Sequence, residues 1–506
     1  MAIPLLVGVV GHRKVLKEYQ GPIKQEISTQ IDQLVELASK QHTEVFIVTS
    51  LAEGSDRLAA ELAIEKKLKL VVPLPKDEHD YKRDFPSSVE EYEFLASASI
   101  KKFVTEGSGV NSYDNSSRWI AKHCQIVIAV WDGSFDDVKP GGTSHTVDLR
   151  VSLNKQEHSL ENIAGYLGPV LHISCPKQSG EVLQKTVWIW PEGASKLSIS
   201  EYLQPVFYFN TGVLNLDSEK LITSLNYLSV ENHLNSMIAT TFAQADVYAM
   251  DLQKKYIVNL ALTILTALSG YAIQQTVSNW VGALSSSLLI TFALVMIVFA
   301  NRRRYLTTYL EYRGLAEVLR ISYFWKVSGI KHVPTDRFLN HHWGHLSWIR
   351  NTINALWIDD NIRNDIELAK KDWIDDQLNY YQEQQSKLQE TAGKWNTFSL
   401  IMFIASMFLA WLSFLIPNYS DSLISWSGVF LLLSAAVNHY VHVRAFEAHA
   451  LRYKAITTPF RWAKDMWNYS SYQEKQKIVN ELGSEAAAEI SNWLETHRTR
   501  PNKLLR

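Results

Sequence analysis

The chain has 506 residues and a formal net charge of −2, with 50 basic against 52 acidic side chains. So even a balance excludes the basic footprint of a nucleic-acid binder. Two cysteines, Cys124 and Cys175, are too few for a disulfide framework or a zinc cage, and both sit in apolar runs typical of a reduced cytoplasmic fold. A mean hydropathy near zero predicts substantial water-soluble mass beside any membrane part.

Residues 1 to about 200 alternate short apolar runs with longer amphipathic ones, the pattern of an α/β domain. Residues 3–10, 44–48, 68–72, 125–130 and 169–174 read as strands, and 19–39 and 55–66 as helices. The second helix opens on Ser55 and Asp56, which suit an N-terminus. Continuously apolar strands predict a parallel sheet covered on both faces. Ligands of such sheets bind beyond the carboxyl ends of the strands, at the switch point.

Four turns at that end carry the informative residues. Strand one runs into Gly11, His12 and Arg13, and strand two into Ser50, Leu51, Ala52, Glu53, Gly54, Ser55, Asp56 and Arg57. Strand three ends at Pro73, Leu74 and Pro75 and leads to Tyr81. Strand four ends at Trp131, Asp132 and Gly133, with Pro140, Gly141, Gly142, Thr143, Ser144 and His145 following before a helix-like run. Glycines at a strand-to-helix turn let backbone N–H groups approach an anion, and the helix dipole favours phosphate. Arg13 and Arg57 offer ionic or bidentate contacts, while Glu53, Asp56 and Asp132 can accept bonds from ribose hydroxyls or base edges. Singly, each has a plain structural reading: Gly54 or Gly141 as a turn former, Asp56 as a helix cap, Arg57 as a solvated helix residue, His12 and His145 as structural histidines. Convergence of the four turns predicts a nucleotide-type pocket.

These residues resemble the SLOG superfamily, Rossmann-like domains that bind nucleotides or nucleotide-derived signals. The resemblance rests on Gly11-His12-Arg13, on Ser50 through Arg57, and on Trp131-Asp132-Gly133 with Pro140-Gly141-Gly142-Thr143, and it covers about the first 200 residues. Enzymatic members, the Lonely-guy phosphoribohydrolases, carry a Pro-Gly-Gly-x-Gly-Thr-x-x-Glu motif whose Glu is catalytic. Here the second Gly-Thr is lost and Asp148 stands where the Glu would be sought, so the resemblance implies sensing rather than hydrolysis.

The second half is set by two stretches nearly empty of charge. No Asp, Glu, Lys or Arg occurs between Tyr256 and Asn301, and 395–443 holds only Asp421. Each is too long for one bilayer crossing and suits two of about 20 residues. Spans are predicted at about 256–275, 280–300, 397–416 and 424–441, with polar turns at 275–279 and 417–422. Neither turn holds Lys or Arg, whereas Arg302, Arg303 and Arg304 follow the first pair and Lys394 and Arg444 bracket the second. The positive-inside rule then puts both turns outside and both termini in the cytoplasm, in an inner membrane. Asn259, Asn438 and 285–287 are candidates to line a polar pore or join helices.

Residues 201–330 and 331–506 read as two two-span modules, each with a pre-helix, a hairpin and a post-helix. Tyr305, Tyr309, Tyr312, Ala316, Leu319 and Tyr323 share one helical face, and Arg313, Glu317 and Arg320 fall on another. Phe446, His449, Tyr453 and Ile456 repeat the stripe beside Arg444, Glu447 and Arg452. Such stripes are expected to pack against the other post-helix or a neighbouring subunit. His341, His342 and His345 lack acidic or cysteine partners nearby, which favours a structural or interfacial role over a metal site. Tyr312 through Arg320 and Trp373 through Tyr381 make this half similar to the SLATT family, two-span modules found beside SLOG domains in bacterial conflict systems. The resemblance implies membrane-disrupting pores triggered by a nucleotide signal.

The expected architecture is an α/β Rossmann-like N-terminal domain, residues 1–200, followed by an all-α membrane domain with four transmembrane helices. The expected function is an anti-phage membrane effector that senses a nucleotide-derived ligand, such as a cyclic nucleotide or an ADP-ribose derivative. It would act as a homo-oligomer in the lipid bilayer, with no covalent cofactor, no metal and no nucleic acid. The alternatives are a membrane-tethered nucleotide or glycosidic-bond hydrolase using Glu53, Asp56 or Asp148, and a scaffold with a vestigial nucleotide domain.

Overall fold

Strand-forming runs rich in Val, Ile and Leu leave no polar face, so they pair where helices can cover both sides. In the computed structural model they form a seven-stranded sheet in the order β4-β3-β2-β1-β5-β6-β7. The strands are β1 (Leu5–Gly11), β2 (Val45–Val48), β3 (Lys69–Leu74), β4 (Lys101–Val104), β5 (Ile126–Trp131), β6 (Val170–Ser174) and β7 (Val187–Ile189). All pair in parallel except β7, which runs antiparallel to β6. The structure describes residues 3–107, 109–136, 138–152, 166–194, 196–228, 236–336, 346–359 and 361–499. The cluster of His341, His342 and His345 lies outside them.

Five of the strands, β1, β2, β3, β5 and β6, bear the apolar run that predicts them almost residue for residue, but β4 and β7 carry no such run. β4 begins on two lysines and alternates half-buried with exposed positions, as an edge strand does. β1 pairs with β2 on one side and β5 on the other, so the winding reverses between β1 and β5. Helices α1 (Lys17–Ser39), α2 (Ser55–Glu65), α3 (Glu78–Lys82), α4 (Val89–Ser97), α5 (Ser112–His123) and α6 (Thr143–Val151) cover the sheet.

An all-helical region follows: α7 (Ile199–Gly212), α8 (Ser218–Asn226), α9 (Met237–Thr276), α10 (Trp280–Arg302), α11 (Tyr305–Val327), α12 (Ser347–Leu356), α13 (Ile366–Ala369), α14 (Asp376–Leu415), α15 (Ser420–Arg444), α16 (Phe446–Trp467) and α17 (Tyr472–Thr499). Among the described residues four helices are long and apolar enough to cross a membrane, and they contain the four predicted spans.

The two hairpins are built alike. Each opens with an uninterrupted 40-residue helix, α9 or α14, whose N-terminal part is water-facing or packed in the core outside the spans and whose C-terminal part is a candidate span. Each returns through a second span, α10 or α15, to a single left-handed residue, Arg304 at φ 51° or Ala445 at φ 50°. A post-helix of 23 or 22 residues, α11 or α16, then starts at once.

In the second hairpin the spans are held by serines at sevenfold spacing. Ser399 and Ser434 hydroxyls lie 2.9 Å apart and Ser406 and Ser427 3.2 Å, each also donating to the opposite backbone carbonyl. Such bonds are worth about 0.6 kcal/mol each in a membrane. In the first hairpin Ser286 is buried and Asn259 reaches Met296, whereas Asn438 is exposed on α15.

The aromatic stripe of α11 is core, with Tyr312, Ala316, Leu319 and Tyr323 buried. It packs chiefly along α9 and α17; the post-helix α16, one of the two partners the sequence suggested beside a neighbouring subunit, shares the same core through Ile456 and Phe460.

Candidate ligand pocket

The carboxyl ends of β1 and β2 and the N-termini of α2 and α6 converge on one cavity of about 250 Å³. Its lining includes Gly11, His12, Arg13, Ser50, Asp56, Gly141, Gly142 and Thr143, all predicted from the turns, together with Tyr81, Tyr113, Ser116, Ser117 and Thr146. Two glycines shape it through their backbone. Gly54 has φ +85°, and a Cβ there would lie 2.4 Å from the His12 carbonyl oxygen and 2.5 Å from that of Arg13. Gly141 has φ +87°, with Tyr113 Cβ only 2.5 Å from where its own Cβ would be. Any side chain at either place would force the β1 turn or α5 outward.

Helices α2 and α6 aim their N-termini at this space with Gly54 and Gly142 as side-chain-free caps. Backbone donors and the positive end of each dipole therefore face the cavity, the arrangement that suits a phosphate. Arg13 is exposed at the mouth with its guanidinium carbon 5.3 Å from the Tyr113 ring centroid. Tyr113 donates to Asp84, which also receives Lys76 at 2.9 Å. The aromatic ring, the two cations and the helix ends give the pocket a stacking surface beside an anion-favouring one.

Asp56 is the carboxylate inside. It is 5 % exposed, and burial pushes its carboxyl up to about 7, although the Ala52 and Gly11 amides and Arg13 pull the other way. His12 Nε2 accepts the Asp132 amide at 3.1 Å, and burial holds the ring below its ordinary value despite the nearby Asp132 carboxylate. Asp132 is paired with Lys177 at 2.6 Å; burial opposes its ionisation, but that lysine and the Ser134 amide keep it below the usual range. His145 lies 3.3 Å from the fully buried Asp114 and receives the Gly141 amide at 3.4 Å, so it fixes the glycine turn.

Other predicted residues are not brought into the cavity. Arg57 is corrected outright: its side chain is 3 % exposed and bonds Leu51 O, Ser88 O and Glu91, tying α2 to α4. Glu53 accepts from Ser88 at 2.5 Å on the same side. Ser55 is buried and bonds the His12 carbonyl, closing α2 against β1. Gly54 shapes the wall without lining it, and Asp132, Gly133 and Ser144 lie just outside. Of the three carboxylates considered for hydrolysis, Asp56 alone lines the cavity. Tyr113, Ser116 and Ser117 come from α5, which carries no motif; its amphipathic face, with Ser116 and Ser117 buried, is the one signal the sequence offered.

Residues 370–493 match the family described as SMODS and SLOG-associating 2TM effector domain 1. The match takes in both helices of the second hairpin, the post-helix α16 and most of α17. The first hairpin, though built on the same plan, and the α/β domain lie outside it. No curated protein matches the chain.

Proposed function

We propose that the chain is a membrane effector whose α/β domain senses a nucleotide-derived ligand and whose spans, assembled from several copies, permeabilise an inner membrane. The effector part is supported by the family match and the four candidate spans. The observation that carries the sensing part is a packed connection from the pocket to the first span. Helix α5 lines the pocket with Tyr113, Ser116, Ser117 and Ile120. Ile120 and Cys124 share a core with Ala355 and Ile358 of the α12 region, and Asn354 donates to Lys122 O at 3.0 Å. Asp359, one residue beyond Ile358, accepts Ser236 Oγ at 2.6 Å and Ile238 N at 3.0 Å. It thereby caps α9, which runs unbroken into the bilayer.

A ligand shifts this system only by binding the active arrangement more tightly than the resting one. Closure of the pocket on a phosphate would move α5 and Arg13, and α12 would pass that movement to the start of α9. The test is dye leakage from liposomes bearing the full chain, with cyclic and linear nucleotides and ADP-ribose derivatives added singly. Leakage with one ligand, lost in Arg13→Ala and without ligand consumption, supports the gated effector. Asp359→Ala, which leaves the buried Ser236 hydroxyl and Ile238 amide at the start of α9 without their acceptor at a cost of about 1–3 kcal/mol, is expected to keep ligand binding and lose leakage. Ligand consumption without leakage would replace this reading with a tethered hydrolase built on Asp56.

A further inference from the structure

A second cavity, of about 210 Å³, sits where the spans leave the membrane, between α9, α11, α14, α15, α16 and α17. Its roof is Tyr256, at the start of the first span, and Val443 with Arg444, at the end of the last. Four guanidinium groups line it, those of Arg313, Arg320, Arg444 and Arg452, against two carboxylates, Glu317 and Glu489.

The pairing inside leaves basic capacity over. Arg313 is taken by Asp246 at 2.5 Å and by Glu317. Arg320 shares Glu317 at 3.2 Å and donates to Gln377 at 2.7 Å, but its Nε is buried without a hydrogen-bond partner. Arg452 holds Glu489 through two nitrogens. Arg444 has no carboxylate partner among the described residues; it lies 5.3 Å from the Phe446 ring with its Nε buried and unpartnered. A guanidinium lining a cavity without a carboxylate beside it favours an anion there. Tyr381 and Tyr453, stacked at 5.4 Å, furnish the opposite wall with aromatic surface.

We propose that this cavity is a binding site for a phosphate-bearing anion, held by Arg444 at the membrane surface. The planar fork of a guanidinium that no carboxylate engages among the described residues suits two oxygens of a phosphate. Such a phosphate can belong to an anionic phospholipid headgroup reached from the bilayer or to a soluble phosphate ester reached from the water side. Occupancy would tie the two hairpins together, because Tyr256 and Leu306 of the first module line the same cavity as Arg444 of the second. The site does not depend on the nucleotide-type pocket of the α/β domain.

The experiment uses the full chain in neutral detergent. One arm adds phosphatidylglycerol or phosphatidylcholine and reads bound lipid by native mass spectrometry; the other adds glycerol phosphate and reads the melting temperature. Retention of phosphatidylglycerol over phosphatidylcholine assigns the lipid source, and a rise in melting temperature that Arg444→Gln removes assigns the soluble one. In either case Arg444→Gln is expected to weaken binding at least tenfold, Arg444→Lys by less, and Lys331→Ala, at an exposed surface ion pair, not at all. Absence of binding in both arms, or binding indifferent to Arg444→Gln, would overturn the proposal. If Arg444→Gln fails to fold, the charge-retaining Arg444→Lys still reads the loss of the fork.

Discussion

Asp56 ties the pocket to pH. Its carboxyl titrates at 3.8 in an unfolded chain and at about 7 when folded, chiefly because burial penalises the charged form. The folded state therefore binds the proton more tightly, and this contribution is complete below about pH 4 and is lost as pH rises to about 7. Ionising Asp56 above that costs the fold roughly 4 kcal/mol at most. Asp56→Asn is expected to raise the denaturant midpoint at about pH 8 and to change it little at about pH 4. If the pocket takes an anion as proposed, binding is expected to weaken above about pH 7 as the Asp56 charge joins that of the ligand, and Asp56→Asn should flatten that dependence. A denaturation series and ligand titrations across that window read both effects. Much of the site was legible because glycines and charges at strand ends have few uses: Gly11, Asp56 and Gly141 all line or shape the cavity. Arg57 misled because a guanidinium at a helix start serves equally well to bind neighbouring carbonyls and a carboxylate, and spacing alone does not say which way it points.

At the scale of elements, the candidate spans announce themselves by missing charge, but their continuity with the helical segments outside the membrane does not. Lys254, Lys255 and the polar run before Trp395 look like boundaries in the sequence, yet neither contains a proline, and the helix passes through. The elbows at Arg304 and Ala445 were equally hidden, since neither is the Gly or Asn that usually accepts a left-handed backbone. That conformation costs an alanine about 1 kcal/mol. Ala445→Gly is therefore expected to raise the melting temperature of the detergent-solubilised chain by about 1 °C. A drop would mean that the Ala445 methyl group, buried in the fold, contributes more through packing than the backbone strain costs.

For the whole molecule, four spans with 6 % to 17 % of their apolar windows buried leave most of their surface for lipid or for other copies. The serines of the second hairpin face each other and are spent within one chain, so they do not line an aqueous path. Asn438, beside His439, is an exposed polar side chain on α15, where a lipid contact is unfavourable and a contact between copies is not. Asn438→Leu is expected to shift the cross-linked population in liposomes toward smaller assemblies and to reduce leakage. An unchanged ladder would place the contact between copies elsewhere.

The 40-residue helices carry a mechanical implication. Each is a rod of about 60 Å, of which the membrane takes roughly half. With no slack between the water-exposed part and the bilayer, what travels along it is phase as much as displacement. One alanine inserted after Glu390, in the exposed stretch of α14, would turn the span below it by about 100° while leaving the N-terminal end in place. Seven would bring it back to within about 20° of its starting azimuth. If the rod is the transmitter of the proposed signal, ligand-triggered leakage should vanish at one insertion and return at seven; a flexible tether would show a smooth decline with length.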